Sequence, residues 1–150
     1  DERLQSALQA TQAAKRQAQL TSLRKQADES KKNGRLDEAV SHLEAYLALA
    51  PGEAPVLAEL EQLKADSRQA KVRALKTQAE TAARQEKWED AISAWQAYKA
   101  EMPAEAEQVN RQVEKARQKA ALLKDYESAQ GLIRKRQYGK AIHLLQGIIA

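Results

Sequence analysis

The stretch NGRLDEAVSHLEAYLALAPGE (33–53) is matched, 52 positions later, by QEKWEDAISAWQAYKAEMPAE (85–105). Leu36 aligns with Trp88, Ala39 with Ala91, Val40 with Ile92, Leu43 with Trp95, Tyr46 with Tyr98 and Pro51 with Pro103. The register extends upstream, pairing Leu23 with Leu75, Ala27 with Ala79 and Ser30 with Ala82. A third copy, KRQYGKAIHLLQGIIA (135–150), follows at an offset of 50 and brings Ala129, Tyr138, Ala141, Ile142 and Leu145 into line. So many in-register matches define an internal repeat. Within a copy, Leu36, Ala39, Val40, Leu43 and Leu47 recur at three- and four-residue steps, the apolar stripe of an amphipathic helix. Leu23, Ala27 and Ser30 do the same before it. Asn33-Gly34 separates the two stripes as a helix C-cap would, and Pro51-Gly52 ends the second. Each unit therefore reads as a helix hairpin, with Ala27 and Ala39 where the two helices approach closely.

Composition agrees with an all-α chain. Of 150 residues thirty are Ala, seventeen Leu and seventeen Gln, while Val, Ile and Thr together number only fourteen. Five Gly and three Pro leave little turn chemistry for a β fold. The absence of Cys excludes disulfide frameworks and thiolate zinc sites. No apolar run exceeds about six residues, too short to span a membrane. Leu, Ile and Val make up only 27 residues, which raises disorder as a possibility. Their periodic placement argues for a thin, elongated core instead.

The pattern resembles the tetratricopeptide repeat (TPR), a 34-residue helix-turn-helix module, over roughly 20–53, 72–105 and 122–150. It rests on the small residue of the first helix (Ala27, Ala79, Ala129), the bulky residue opening the second (Leu36, Trp88, Tyr138) and its Ala (Ala39, Ala91, Ala141). A large residue four positions on (Leu43, Trp95, Leu145) and the terminal Pro (Pro51, Pro103) complete it. Two features depart from the family. Its first-helix aromatics are replaced by Leu23 and Ser30, then Leu75 and Ala82. Tyr46, Tyr98 and Ile148 stand where the family prefers a small residue, which implies that neighbouring units are not stacked in the usual way.

The period also exceeds 34, through insertions at 54–71 and about 106–121. Neither contains Gly, and Pro55 falls in a first helical turn, where Pro is tolerated. Val56, Leu60, Leu63, Ser67, Ala70 and Ala74 step by four and three, as do Val109, Val113, Ala116, Ala120 and Leu123. Each insertion thus reads as continuous with the helix that follows. The spacing predicts long helices near 2–33, 54–85 and 105–135, alternating with short ones near 36–50, 88–101 and 138–150. A helix of this length spans ~48 Å. The expected architecture is a single all-helical repeat domain over 1–150, with units of about 2–53, 54–105 and a truncated 106–150. Its shape is expected to be a staggered rod or open solenoid, as a piece of a larger protein. Asp66-Ser67 is the point at which the second long helix would break, giving three-helix repeats instead.

No catalytic constellation emerges. Asp37-Glu38 and Glu89-Asp90 recur in the first turn of a short helix, where negative charge meets the positive end of the helix dipole. His42 and His143 occupy non-equivalent positions, and neither a phosphate loop nor a nucleophile motif is present. The expectation is a non-enzyme without cofactor or metal. The six aromatics all fall inside the hairpins and read as packing residues, with Tyr46 and Tyr98 expected to be partly exposed.

Two functional readings follow. TPR modules characteristically bind proteins or peptides in the groove lined by their first helices. The resemblance therefore implies a protein-interaction scaffold or spacer, with Arg24, Asp28, Lys31, Arg73, Lys76 and Glu80 as exposed candidates. Its partner would be another protein, a peptide or neighbouring domains of the same chain. The carboxylate-clamp version of that groove is disfavoured, because Asp28, Thr77, Leu123 and Glu127 occupy positions it needs for other side chains. The alternative comes from charge. The segment 106–137 holds eight basic and four acidic residues, whereas 34–53 and 88–105 are each net −3. Arg111, Lys115 and Lys119 step along one helix face, and Arg134, Lys135 and Arg136 cluster at its end. Such a stripe suits a polyanion, whether nucleic acid or an anionic membrane surface, although no aromatic stacking platform accompanies it. Ile142, Leu145, Ile148 and Ile149 form an apolar face expected to need cover from further sequence or a partner.

Overall fold

The computed structural model describes residues 2–149, which are all-helical apart from short turns. Three long helices alternate with three short ones: α1 (Glu2–Lys32), α2 (Leu36–Leu49), α3 (Ala54–Arg84), α4 (Trp88–Glu101), α5 (Ala106–Arg134) and α6 (Tyr138–Ile149). A single 3-10 turn, Pro103–Glu105, precedes α5. All six helices lie within two residues of the bounds expected from the apolar periodicity.

The three long-to-short turns are built alike. Gly34, Glu86 and Arg136 each adopt a positive φ, at 71°, 57° and 58°. The next residue's N–H then reaches back five positions: Arg35 to the Ser30 carbonyl, Lys87 to Ala82 and Gln137 to Leu132, all at 2.9 Å. This is a Schellman-type closure, which satisfies carbonyls left free at a helix end. Only the first turn uses Gly, so Glu86 and Arg136 carry a left-handed strain of about 1 kcal/mol each.

The chain divides into two compact units, residues 1–70 and 71–150, each described by itself. In the first, Ala27 of α1 and Ala39 and Leu43 of α2 are fully buried, and Val56, Leu60 and Leu63 of α3 close the cluster. The methyl side chains of Ala27 and Ala39 let the hairpin helices approach closely, and α3 covers what the hairpin leaves open. Leu36, Val40, Tyr46 and Leu47 pack half-buried around this core. The Arg16 guanidinium donates to the Leu49 carbonyl at the end of α2, where the helix has no basic side chain of its own.

In the second unit Ala79 and Ala91 are fully buried, and Tyr98, Val109 and Val113 form the core. Val72, Leu75, Ile92, Trp95 and Met102 pack against it. Trp95 meets Tyr98 edge to face, with ring centroids 5.8 Å apart. Further along, Ala129 of α5 and Ala141 of α6 are buried at the last hairpin. Val56, Leu60 and Leu63 correspond to Val109, Val113 and Ala116 at an offset of 53. Ala54 and Ala106, where the two helices start, are 52 apart, so the buried stripe sits one position later along α5 than along α3.

Three details correct the sequence reading. Tyr98 is only 3% exposed, because its hydroxyl donates to Glu105 Oε2 at 2.7 Å and so tolerates burial. Tyr126 and Tyr138, read as packing residues, are both exposed, with no described helix lying over the last hairpin. The α3 stripe also does not run on to Ala70 and Ala74, which are exposed. Burial passes instead to Val72, Leu75, Ala79 and Ala82, the positions facing α4. Asp66-Ser67 does not interrupt α3. Gln62 Nε2 donates to Asp66 Oδ1 at 2.9 Å and the Ser67 hydroxyl to Asp37 of α2, so neither side chain competes for the helix backbone.

Candidate interaction surfaces

Residues 24, 28 and 31 share one face of α1, because they are spaced by four and three. The structure brings Arg24, Asp28 and Lys31 together, but around an acid of the same chain. Glu59 of α3 accepts from Arg24 Nη1 at 2.5 Å and also from the Lys31 ammonium. Lys31 lies 2.8 Å from Asp28, and Arg24 Nε 3.7 Å from it. Partial burial pushes the Glu59 carboxyl up, but the hydrogen bonds from Lys31 and Arg24 and their charges hold it below its ordinary value. Asp28 is held low by its hydrogen bond from Lys31, while Lys31 is raised by its bonds to Asp28 and Glu59. These three residues therefore clamp α1 to α3, a role their α1 spacing alone did not reveal. The signal for Glu59 was its place beside the apolar stripe, three residues after Val56 and four before Leu63.

The sign of the pH effect follows. Carboxylates with depressed folded pKa values stabilise the protein above their unfolded pKa, and that stability is lost as pH falls through the folded value. For Glu59 the loss lies below pH 4.5, its ordinary value. Lys31 acts oppositely: its contribution is complete below 10.5 and is lost as pH rises through its raised folded value. We expect Glu59→Gln to cost roughly 1 kcal/mol at neutral pH, as a partly exposed network does. It should also flatten the acid limb of a urea-stability profile; an unchanged acid limb would place that titration elsewhere.

The second expected set is not brought together. Lys76 and Glu80 border an open groove with Trp95, Tyr98, Glu105 and Gln112, whereas Arg73 borders another with Thr77, Thr81 and Asp90. Gln112, at the offset of 53 from Glu59, offers Lys76 an amide in place of a carboxylate.

Charge pairs also tie long helices to short ones. Lys64 lies 3.0 Å from Glu44, and Lys71 2.5 Å from Glu101. By contrast Arg111, Lys115, Lys119, Arg134, Lys135 and Arg136 are all exposed and make no ion pair among the described residues. Both first-turn acid pairs lie at helix starts as expected, and Asp37 and Glu38 accept from Ser67 and from Arg35.

Exposed apolar side chains concentrate at the two ends of the sequence. In α5 and α6 they are Leu122, Leu123, Tyr126, Ile133, Tyr138, Ile142 and Ile149; in α1 they are Leu4 and Leu8, and α3 adds Leu57. Every described residue before Leu20 is exposed. Among the described residues no three His, Cys, Asp or Glu side chains gather as a metal site requires, and no helix is long and apolar enough to cross a membrane. The chain matches no known protein-family model, no curated protein and no solved structure.

Proposed function

We propose that this chain is a non-catalytic protein-interaction scaffold, a tandem of TPR-like hairpins staggered along a rod or open solenoid. The observation that carries the reading is the uncovered apolar face of the α5–α6 hairpin. Tyr138, Ile142 and Ile149 occupy the positions of Leu36, Val40 and Leu47, which pack under α3 in the first hairpin. An exposed cluster of this kind marks a surface that meets another protein or a neighbouring domain of the same chain. The recurring buried alanines at 27, 79 and 129, and at 39, 91 and 141, support the tandem.

A photo-cross-linking residue placed at Ile142 in the protein in its own cells tests this, with Lys25 on exposed α1 as the control position. The expected result is protein adducts at 142 in excess of those at 25. Equal or absent adducts would remove the α5–α6 face from function.

The unpaired cations favour a second reading, polyanion binding along Arg111, Lys115 and Lys119 and the Arg134–Arg136 cluster. If all six engaged phosphates of duplex DNA, log affinity would fall with log salt at a slope of about −5. Binding without such a slope, or none near physiological ionic strength, would eliminate it.

A further inference from the structure

The basic stripe of α5 has no aromatic neighbour in the sequence, but the fold supplies one. In the second unit an open groove of about 510 Å³ lies between α3 and α5 and reaches Trp95 and Val109. Trp95 is half-buried, so part of its indole faces the groove. The corresponding groove of the first unit is bordered by Arg24, Asp28, Lys32 and Tyr46, but it reaches neither Leu43 nor Val56. There Leu43 stands in the place of Trp95 and is fully buried, and the Lys31–Glu59 ion pair bridges α1 to α3. In the second unit Ala83 and Gln112 replace that ion pair, at offsets of 52 and 53. Three changes thus act together: a bridge is gone, an acid is neutral, and an indole replaces a buried aliphatic side chain.

The rim of the groove is basic. Lys76 and Arg84 border it from α3, and Arg84 Nε donates to the Glu80 carbonyl. On α5 Gln108, Gln112, Lys115 and Lys119 are spaced by four, three and four, so they form one ridge. Gln108 and Gln112 line the groove, and Lys115 and Lys119 continue the ridge beyond it, both exposed. None of these four cations makes an ion pair among the described residues. At the offset of 53, Lys115 and Lys119 stand where α3 has Gln62 and Asp66, so the ridge changes from acidic to basic between the copies. Glu80 and Glu105 also border the groove, and Glu105 is engaged by the Tyr98 hydroxyl. Glu107 and Glu114, five and two residues from Gln112, fall on the far side of α5 by helical geometry.

An indole between two rows of cations matches the chemistry of a single nucleic-acid strand. Every base has a face that stacks on an aromatic ring, and its phosphates follow a track of positive charge. A duplex keeps its base faces inside the stack, and an acidic side chain offers Trp95 no π-face. We propose that this groove binds single-stranded nucleic acid, with one base against Trp95 and the flanking phosphates on Lys76 and Arg84 of α3 and Lys115 and Lys119 of α5. The proposal rests on the polyanion reading above and narrows it to one strand class and one groove.

The test follows Trp95 fluorescence in a Trp88→Phe background, which leaves Trp95 as the one indole. Single-stranded oligodeoxythymidylate should quench it, with log affinity falling against log salt at a slope of about −3 for four cations. Lys115→Gln/Lys119→Gln should make that slope shallower by about 1.4. Ala83→Lys/Gln112→Glu restores the ion pair of the first unit at unchanged net charge. Its closed groove should bind at least ~5-fold more weakly, through loss of the stacking contact. Circular dichroism checks that each variant keeps its helicity. Oligonucleotide binding that leaves Trp95 fluorescence unchanged, or equal affinity in the closed variant, overturns the groove and leaves the polyanion reading standing. Polyglutamate that quenches Trp95 as strongly as the oligonucleotide overturns it in favour of an acidic protein partner. No salt-dependent binding of either the single strand or duplex DNA removes both readings.

Discussion

Leu43→Ala should destabilise the first unit by about 3–4 kcal/mol, the largest effect expected of any single truncation there. Leu43 is the largest fully buried side chain of the first unit, enclosed by residues from three helices. Part of the cost is the lost transfer free energy. The rest is the cavity, because the surroundings cannot collapse to fill it. Ala27 and Ala39 already hold α1 and α2 as close as two methyl groups allow, and the Glu59 clamp fixes α3 against α1. The net stability of a unit of about 70 residues is of order 4–10 kcal/mol, so this loss is a large share of it. Urea unfolding read by far-UV circular dichroism measures the change, with Leu57→Ala as control. Leu57 neighbours the same core from α3 but is substantially exposed, and its truncation should cost less than about 1 kcal/mol. Equal costs at the two positions would mean that the core repacks around the missing side chain.

The helices were legible in the sequence because they depend on local regularities: apolar steps of three and four, small residues at 27 and 39, and turn residues at 33–34 and 51–52. Each such signal lies within one helix or one turn. The burial of Tyr98 was missed because it depends on Glu105, seven residues away across a turn whose conformation the sequence did not specify. The contacts of the candidate binding set were hidden for another reason. Arg24, Asp28 and Lys31 were placed on one helix face correctly, but the same face that suits a partner also suits a neighbouring helix. Only the packing of α3 shows that Glu59 already occupies it. Charge alone cannot separate an internal clamp from an interface. The exposed apolar face of α6 was legible for the opposite reason. Its stripe repeats that of α2, so its apolar character could be read directly from Ile142, Leu145, Ile148 and Ile149.

Gln69→Pro should cost about 3 kcal/mol or more, although the Gln69 side chain is exposed. Position 69 lies midway along α3, far from either end. Proline there removes the N–H that bonds to the Ala65 carbonyl, and its ring collides with that carbonyl. Packing offers little compensation at this point. From Lys64 to Lys71 every residue but Ser67 is exposed, so the segment is held by its backbone ladder and by surface polar contacts such as Ser67–Asp37, Lys64–Glu44 and Lys71–Glu101. Asp66 and Ser67 are themselves weak helix formers, which leaves the ladder little reserve. Yet α3 lends Val56, Leu60 and Leu63 to one core and Val72 and Leu75 to the other. A break at 69 spares all five side chains and severs the helix between them. Most of the far-UV helical signal should therefore survive at low temperature, while the urea transition broadens and moves to lower concentration. Gln69→Ala, which keeps the N–H, should change stability by only a few tenths of a kcal/mol. A proline cost below about 1 kcal/mol would mean that α3 tolerates a break near Asp66-Ser67, and that each core holds its own half of the helix without help from the other.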